Sequence, residues 1–143
     1  MAQNSTLLHI TDHDIDILAR TIYGEARGED AIGKGLVADV IMNRYRTKYR
    51  RKTTITDVCQ DKWQFSCWNR TDPNLPKLLS VDLSDETFRR CFVEALFAVD
   101  GEPDLPPLTR HYYAKSMPEP PTWAIGHSPV VTHGRHLFFE GIA

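Results

Sequence analysis

Cysteine is scarce in this chain. There are three, Cys59, Cys67 and Cys91, and a small odd number argues against a full disulfide framework. No CxxC occurs, which makes a zinc ribbon unexpected. Cys59 and Cys67 flank a loop rich in Trp and Phe and can pair. Cys91 falls on the apolar face of a helical segment and reads as a small core residue. Long hydrophobic runs are lacking too. No stretch approaches the roughly 18 apolar residues of a membrane span, so stable membrane insertion is not expected. The opening residues, MAQNSTLLHITDHD, carry neither a basic n-region nor an apolar run of signal-peptide length. Residues 1–10 read as a loose lead-in. The expected product is soluble and made in the cytoplasm, so action outside it needs a separate route of release.

A large charge of one sign is also missing. Lys and Arg total 17 against 19 Asp and Glu, a formal net charge of -2. That balance implies no general polyanion-binding surface, and nucleic acid is not an expected partner. One local basic run stands out, RYRTKYRRK from Arg44 to Lys52, with six of the 17 basic residues. It fits a solvated helix end and loop, or a contact with an anionic polymer. No internal repeat, low-complexity tract or interdomain linker is visible. The 143 residues suffice for one domain with a real core. A hydrophobic share of 41% and a charged share of 25% place it among ordinary globular chains.

Within that chain, LARTIYGEARGE (18–29) is the organising stretch. Ile15, Leu18 and Ile22 recur at helical spacing, and the next position on the same face is Glu25. A carboxylate thus continues a stripe that should face a core. Desolvation there favours the protonated form, which is how a carboxylic acid is kept ready to donate a proton near neutral pH. Most helical glutamates are nonetheless surface residues, and the apolar face can equally end at Ile22.

Helix signals place a first helix over about 12–27, capped by Thr11 or Asp12, with a stop at Gly28. A second covers about 31–46, its apolar face carrying Ile32, Leu36, Val37, Val40 and Ile41. Gly33 and Gly35 in its first turns suggest close approach of another backbone or a ligand. Residues 47–83 read as irregular, with a short strand or turn at 54–59 leading into a short helix, and a turn at Asp72-Pro73-Asn74. A third helix covers about 84–100, burying Phe88, Cys91, Phe92, Ala95, Leu96 and Val99. Beyond it, 109–114 is strand-like and 117–123 an extended loop. Residues 130–139 form a hairpin turning at His133-Gly134.

Several constellations can carry chemistry. Glu25 and Glu29 stand four apart. Paired-carboxylate glycosidases hold their acids about 5–5.5 Å or about 6.5–9.5 Å apart, while one acid suffices if the substrate supplies its own nucleophile. Tyr23, Trp63, Phe65, Trp68, Tyr112, Tyr113 and Trp123 fall in or beside loops. Aromatic walls with Gln64 and Asn69 nearby suit sugar rings, which have apolar faces and polar rims; the same aromatics also suit a core between lobes. His111, His127, His133 and His136 offer a rival zinc site. However, no HExxH is present and the spacings fit no helical ligand pair, so neither metal nor cofactor is expected. No GxSxG exists, and no cysteine has an evident His partner.

LARTIYGEARGE, followed by GKGLVADVIMNR (33–44), resembles the signature of the bacterial spore-cortex-lytic type of cell-wall hydrolase. QFS (64–66), HYYA (111–114), PTWA (121–124) and IGHSPVVTHGRHLFFE (125–140) resemble its later blocks. The resemblance covers about 15–140. It implies an α+β, mainly helical, lysozyme-like fold related to goose-type lysozymes and lytic transglycosylases. That fold comprises a helical core and a small β or loop-rich C-terminal lobe, here as a single catalytic domain over 1–143. It implies cleavage of the β-1,4 bond between N-acetylmuramic acid and N-acetylglucosamine in peptidoglycan glycan strands, without metal. Glu25 would act as acid and then base. Tyr23, Glu29, Gln64, Phe65, Ser66, Tyr112, Tyr113 and Trp123 would be the substrate-binding candidates. The alternatives are an inactive wall-binding or virion protein keeping the fold, and a zinc amidase or peptidase. With no leader or wall-binding domain in evidence, the context expected is a bacteriophage or phage-derived particle, with release through holin-like lesions or carriage on a tail.

Overall fold

Thr11 and Asp14 set where the first helix begins. In the computed structural model, which describes residues 9–143, the Asp14 amide donates to Thr11 Oγ1 and the Thr11 amide to Asp14 Oδ2, both at 3.1 Å. This reciprocal cap opens α1, Asp12–Ala26. Asp14 Oδ1 also accepts from the hydroxyl of Thr56 at 2.6 Å and its amide at 3.1 Å. The cap therefore fastens α1 to the start of the short α3, Ile55–Cys59. The lead-in expected over 1–10 lies mostly outside the described residues. α1 ends where expected, at Ala26 with Arg27 as its cap, and Gly28 follows the cap without adopting the left-handed geometry of a glycine stop.

The second helix, α2 (Ala31–Arg46), is capped by Asp30, whose Oδ1 accepts from the Gly33 amide at 2.8 Å. From Leu36 to Arg44 every residue is buried. A helix buried all round belongs at the centre of a fold, and α2 is accordingly enclosed by α1, by α5 (Glu86–Asp100) and by the first strand. Leu18, Ile22, Val37, Ile41, Phe88 and Cys91 are among the residues of this core. Two side chains expected inside are outside: Ile32 is 62% and Leu96 42% exposed. Both fall at the edge of their stripes, where helical spacing alone places them wrongly. The close approach expected at Gly33 is to a side chain, since a Cβ there would stand 2.8 Å from Glu29 Cβ.

Residues 47–83 are more ordered than expected. They hold 3₁₀ turns at Tyr49–Arg51 and Ser66–Trp68 and a further helix, α4, Asn74–Ser80. The basic run folds partly back onto the protein. Arg44 is buried, and Arg50 and Lys52 meet Asp61 at 2.6 and 3.8 Å. Cys59 and Cys67 do not pair; all three cysteines are buried free thiols. Burial pushes Cys59 up to about 12 and Cys91 up to about 11.

The C-terminal lobe is a three-stranded antiparallel sheet in the order β1-β3-β2. Its strands are β1 Thr109–Ala114, β2 Val131–His133 and β3 His136–Glu140. The hairpin turns at Gly134 and Arg135, with Gly134 in the left-handed region at φ +54. Strand alternation gives the sheet two different faces. Tyr112, His136 and Phe138 share one, and Phe138 joins the helical core. Tyr113, Leu137 and Phe139 share the other, where Trp123 packs on Phe139 at 5.3 Å. Asn43 joins the lobe to α2 by donating to the carbonyls of Pro106 and Thr109 at 3.0 and 3.1 Å. A mainly helical core with a small β lobe is the architecture expected. Among the described residues no helix is long and apolar enough to cross a membrane.

Candidate active site

Glu25 occupies the last turn of α1, one residue before the helix ends. Leu18 and Ile22, which precede it on the stripe, are fully buried, while Glu25 is half-buried. The helix therefore leads its apolar face out of the core and presents a carboxylate where solvent begins. Two groups hold that carboxylate. The Tyr112 hydroxyl donates to Oε1 at 2.6 Å, and the Cys67 amide approaches Oε2 at 3.4 Å. Burial, reinforced by the charge of Glu25, raises the Tyr112 phenol well above its ordinary value. It stays protonated and acts as a donor. Burial likewise raises the Cys67 thiol, leaving it a spectator without thiolate character.

Gly24 makes this approach possible. A Cβ at that position would stand 2.6 Å from Cys67 Cβ, 2.8 Å from Cys67 Sγ and 2.9 Å from Leu78 Cδ2. The missing side chain lets the Ser66–Trp68 turn close onto α1, so that the Cys67 amide reaches Glu25. One helical turn earlier, Trp68 Nε1 donates to Thr21 Oγ1 at 2.9 Å, fixing the same turn a second time.

Glu29 is in a different situation. Its Oε1 accepts the Arg135 amide at 2.9 Å and lies 3.6 Å from His136 Nδ1. The glycine at 134 sits against this carboxylate with no room for a side chain. Burial pulls His136 below its ordinary value, against the raising influence of Glu29 and Glu25. Beside it, His133 Nε2 pairs with Asp30 Oδ1 at 2.8 Å. The hairpin turn is thus clamped on the Glu29-Asp30 corner between α1 and α2.

The other candidates divide clearly. Phe65 is buried under Arg44, whose guanidinium lies 5.1 Å from its ring. Arg44 also donates to Gln64 Oε1 at 3.1 Å and to the Arg110 carbonyl at 2.7 Å. Ser66 is exposed at the start of the turn that reaches Glu25. Tyr23 packs against Phe88 with the Arg27 guanidinium over its ring at 5.0 Å, on the side of α1 that meets α5. Tyr113 and Trp123 lie on the sheet face opposite Tyr112. The histidines of the zinc alternative are dispersed. His111 faces Trp123, His127 is exposed, and His133 and His136 meet separate carboxylates. Among the described residues no group of three His, Cys, Asp or Glu side chains converges in a way that could hold a metal ion. Sequence reading missed the Cys67 amide and the hairpin clamp. Gly24 and Gly134 were their only local signals.

Comparison with known proteins agrees with the fold. A stretch of 34 residues is 53% identical to the spore cortex-lytic enzyme of Halalkalibacterium halodurans. That stretch is 24% of this chain and only 10% of the relative, so the match spans about a tenth of the curated relative's length. The structure resembles the catalytic domain of the Bacillus cereus SleB protein, with a TM-score of 0.73, 23% identity and 92% of each chain covered. It also resembles the catalytic domain of the germination-specific lytic transglycosylase SleB from Bacillus anthracis. There the TM-score is 0.70 at 24% identity, covering 91% of this chain and 96% of that one. At these identities the likeness is one of fold. The model of the cell wall hydrolase family matches residues 28–139, from just after Glu25 to the end of the sheet. With most of its length matched, the chain belongs to the cell wall hydrolase family.

Proposed function

We propose that the chain cleaves peptidoglycan glycan strands at the β-1,4 bond between N-acetylmuramic acid and N-acetylglucosamine, with Glu25 as the single acid and base. The observation that carries this reading is the hold on Glu25. A half-buried carboxyl group ends a buried stripe, and Tyr112 and the Cys67 amide fix its plane from two sides. A proton donor must be aimed as well as protonated, and this arrangement aims it.

Glu25 first gives its proton to the glycosidic oxygen as the bond to C1 breaks. The C6 hydroxyl of the muramic acid then closes on C1 and returns its proton to Glu25. A C1–O6 bond replaces the C1–O4 bond, leaving a 1,6-anhydro end and a free C4 hydroxyl. No second carboxylate is required, which suits a site where Glu29 is engaged by the hairpin. Attack by water in place of the C6 hydroxyl would leave a reducing end. Ser66, exposed at the start of the turn that carries the Cys67 amide, is proposed to border the glycan, with Gln64 and the buried Phe65 holding that turn from behind through Arg44. Tyr112 is proposed as a positioning residue. Tyr23, Tyr113 and Trp123, turned toward other surroundings, are proposed to support the walls of the two lobes.

The test is mass spectrometry of muropeptides released from purified walls by wild type and by Glu25→Gln. Anhydro ends from wild type and none from the variant are expected. Undiminished cleavage by Glu25→Gln would remove Glu25 from the chemistry. Reducing ends would convert the reading to hydrolysis. Binding to walls without release of fragments by wild type would leave a wall-binding protein.

A further inference from the structure

From the loop between α3 and α4 we infer a second glycan subsite, built around Trp63 and Trp68, that grips a sugar ring of the same strand away from the bond Glu25 cuts. Trp63 is 71% exposed, an unusual position for the largest apolar side chain. Its backbone lies in the left-handed region at φ +69, which a bulky residue rarely adopts. Lys62 Nζ stands 5.3 Å from its ring centroid, bracing the indole where it projects. The loop below is anchored. Asp61 pairs with Arg50 and Lys52, and Asp61 and Gln64 close a backbone turn at 3.1 Å.

The indole does not project into empty surroundings. It borders a pocket of about 420 Å³ whose other walls include Trp68, Gln60, Asn69 and Arg70. Two aromatic walls with carboxamides at the rim match an N-acetylated pyranose, which has apolar ring faces and an edge of hydroxyl and amide groups. The rear wall is fixed by the bond from Trp68 to Thr21. Thr21 and Glu25 lie on one face of α1, a helical turn apart. Cys67, which touches Glu25, immediately precedes Trp68. The pocket therefore lies beside the turn that reaches Glu25 and is anchored to the same helix, which fixes its spacing from the proposed cleavage site. A β-1,4-linked glycan running past Glu25 is the occupant of matching chemistry, so the subsite rests on the glycan reading of Glu25.

Calorimetric titration of chitohexaose, a β-1,4-linked N-acetylglucosamine oligomer, into Glu25→Gln protein with and without Trp63→Ala tests this. Turnover of purified walls is measured in parallel for the single Trp63 variants. Trp63→Ala should weaken chitohexaose binding about tenfold and raise KM similarly with little change in kcat. Trp63→Phe should recover most of both. Because Trp63 is exposed, thermal melting should be unaffected. The subsite is overturned if Trp63→Ala binds and turns over like its parent, or if chitohexaose fails to bind the parent. Wild-type cleavage with no role for Trp63 removes the subsite alone. Trp63-dependent binding without wild-type cleavage supports the subsite and removes the catalytic reading.

Discussion

The hydroxyl of Tyr112 lies 2.6 Å from Oε1 of Glu25, joining the middle of the first strand to the end of the first helix. A helix end alone leaves a glutamate several rotamers; this bond selects one. Tyr112→Phe should keep the packing against His136 and Phe138, at ring separations of 4.9 and 5.7 Å, while losing the aim. Wall clearance should fall about 10- to 100-fold, the scale of misplacing a reacting group. Stability should drop by about 0.5–1.5 kcal/mol, the scale of one lost hydrogen bond. Turbidity assays and urea titration check the two. Unchanged clearance would remove Tyr112 from the site.

Glu29→Gln separates the two meanings of the second carboxylate. The amide oxygen still accepts from Arg135, so the hairpin should hold and most activity should remain. Glu29→Ala removes the acceptor and should cost about 1–3 kcal/mol. Gly134→Ala attacks the same clamp from the strand side, with a strained φ of +54 and a side chain driven at Glu29. Loss of activity in Glu29→Gln with stability intact would make Glu29 a second reacting group.

Gly24→Ala should be costly for its size. The added methyl meets Cys67 Cβ at 2.6 Å and Leu78 Cδ2 at 2.9 Å, neither at the end of a long flexible chain. Overpacking of this kind costs about 1–3 kcal/mol. The Cys67 amide should also be displaced from Glu25, so clearance should fall further than stability predicts. A melting curve and a wall assay on the same preparation test that discrepancy.

The pH dependence of stability should contain two opposed contributions. Burial, helped by the charges of Arg44 and Arg110, pushes His111 down to about 4. The unfolded chain then binds this proton more readily, so stability falls as pH drops from about 6.5 to about 4. Burial pushes Asp39 up to about 6 from 3.8, despite the Asp104 amide donating to it at 2.8 Å. Here the folded state keeps the proton longer, so stability falls as pH rises through that window. The two should partly cancel in wild type. Asp39→Asn should steepen the acid loss and raise stability at neutral pH, whereas His111→Gln should flatten or invert the slope. Urea midpoints from about pH 4 to pH 7 decide this. Parallel profiles for all three proteins would refute it.

Much of the helical core was legible because its signals are local. Thr11 and Asp14 mark a start, and Leu18, Ile22, Phe88 and Cys91 keep helical spacing. Strand β1 was legible for the same reason. Helix α4 was not: it is two turns long, holds Pro76, and buries only Leu78 fully. Its sequence looks like the loop around it. In the candidate site, the place of Glu25 at the end of the apolar stripe was legible, but its hydrogen-bond partners were not. Tyr112 and Tyr113 are neighbours of similar character, and only the strand register separates the one facing Glu25 from the one facing Phe139. Cys67 reads in the sequence as a thiol, although its backbone amide makes the contact.

The separation between Glu25 and its holders has a consequence for biosynthesis. Glu25 leaves the ribosome before either of its distant partners. Tyr112 follows it by 87 positions, and the Arg135 amide that fastens Glu29 trails by 106. Contacts of that span form only after large loops have closed. On the proposed reading, a nascent or clipped chain ending before β1 carries its acid without the Tyr112 bond, and one ending before β3 lacks the clamp on Glu29. The complete hold on this corner then arrives only with completion of the sheet.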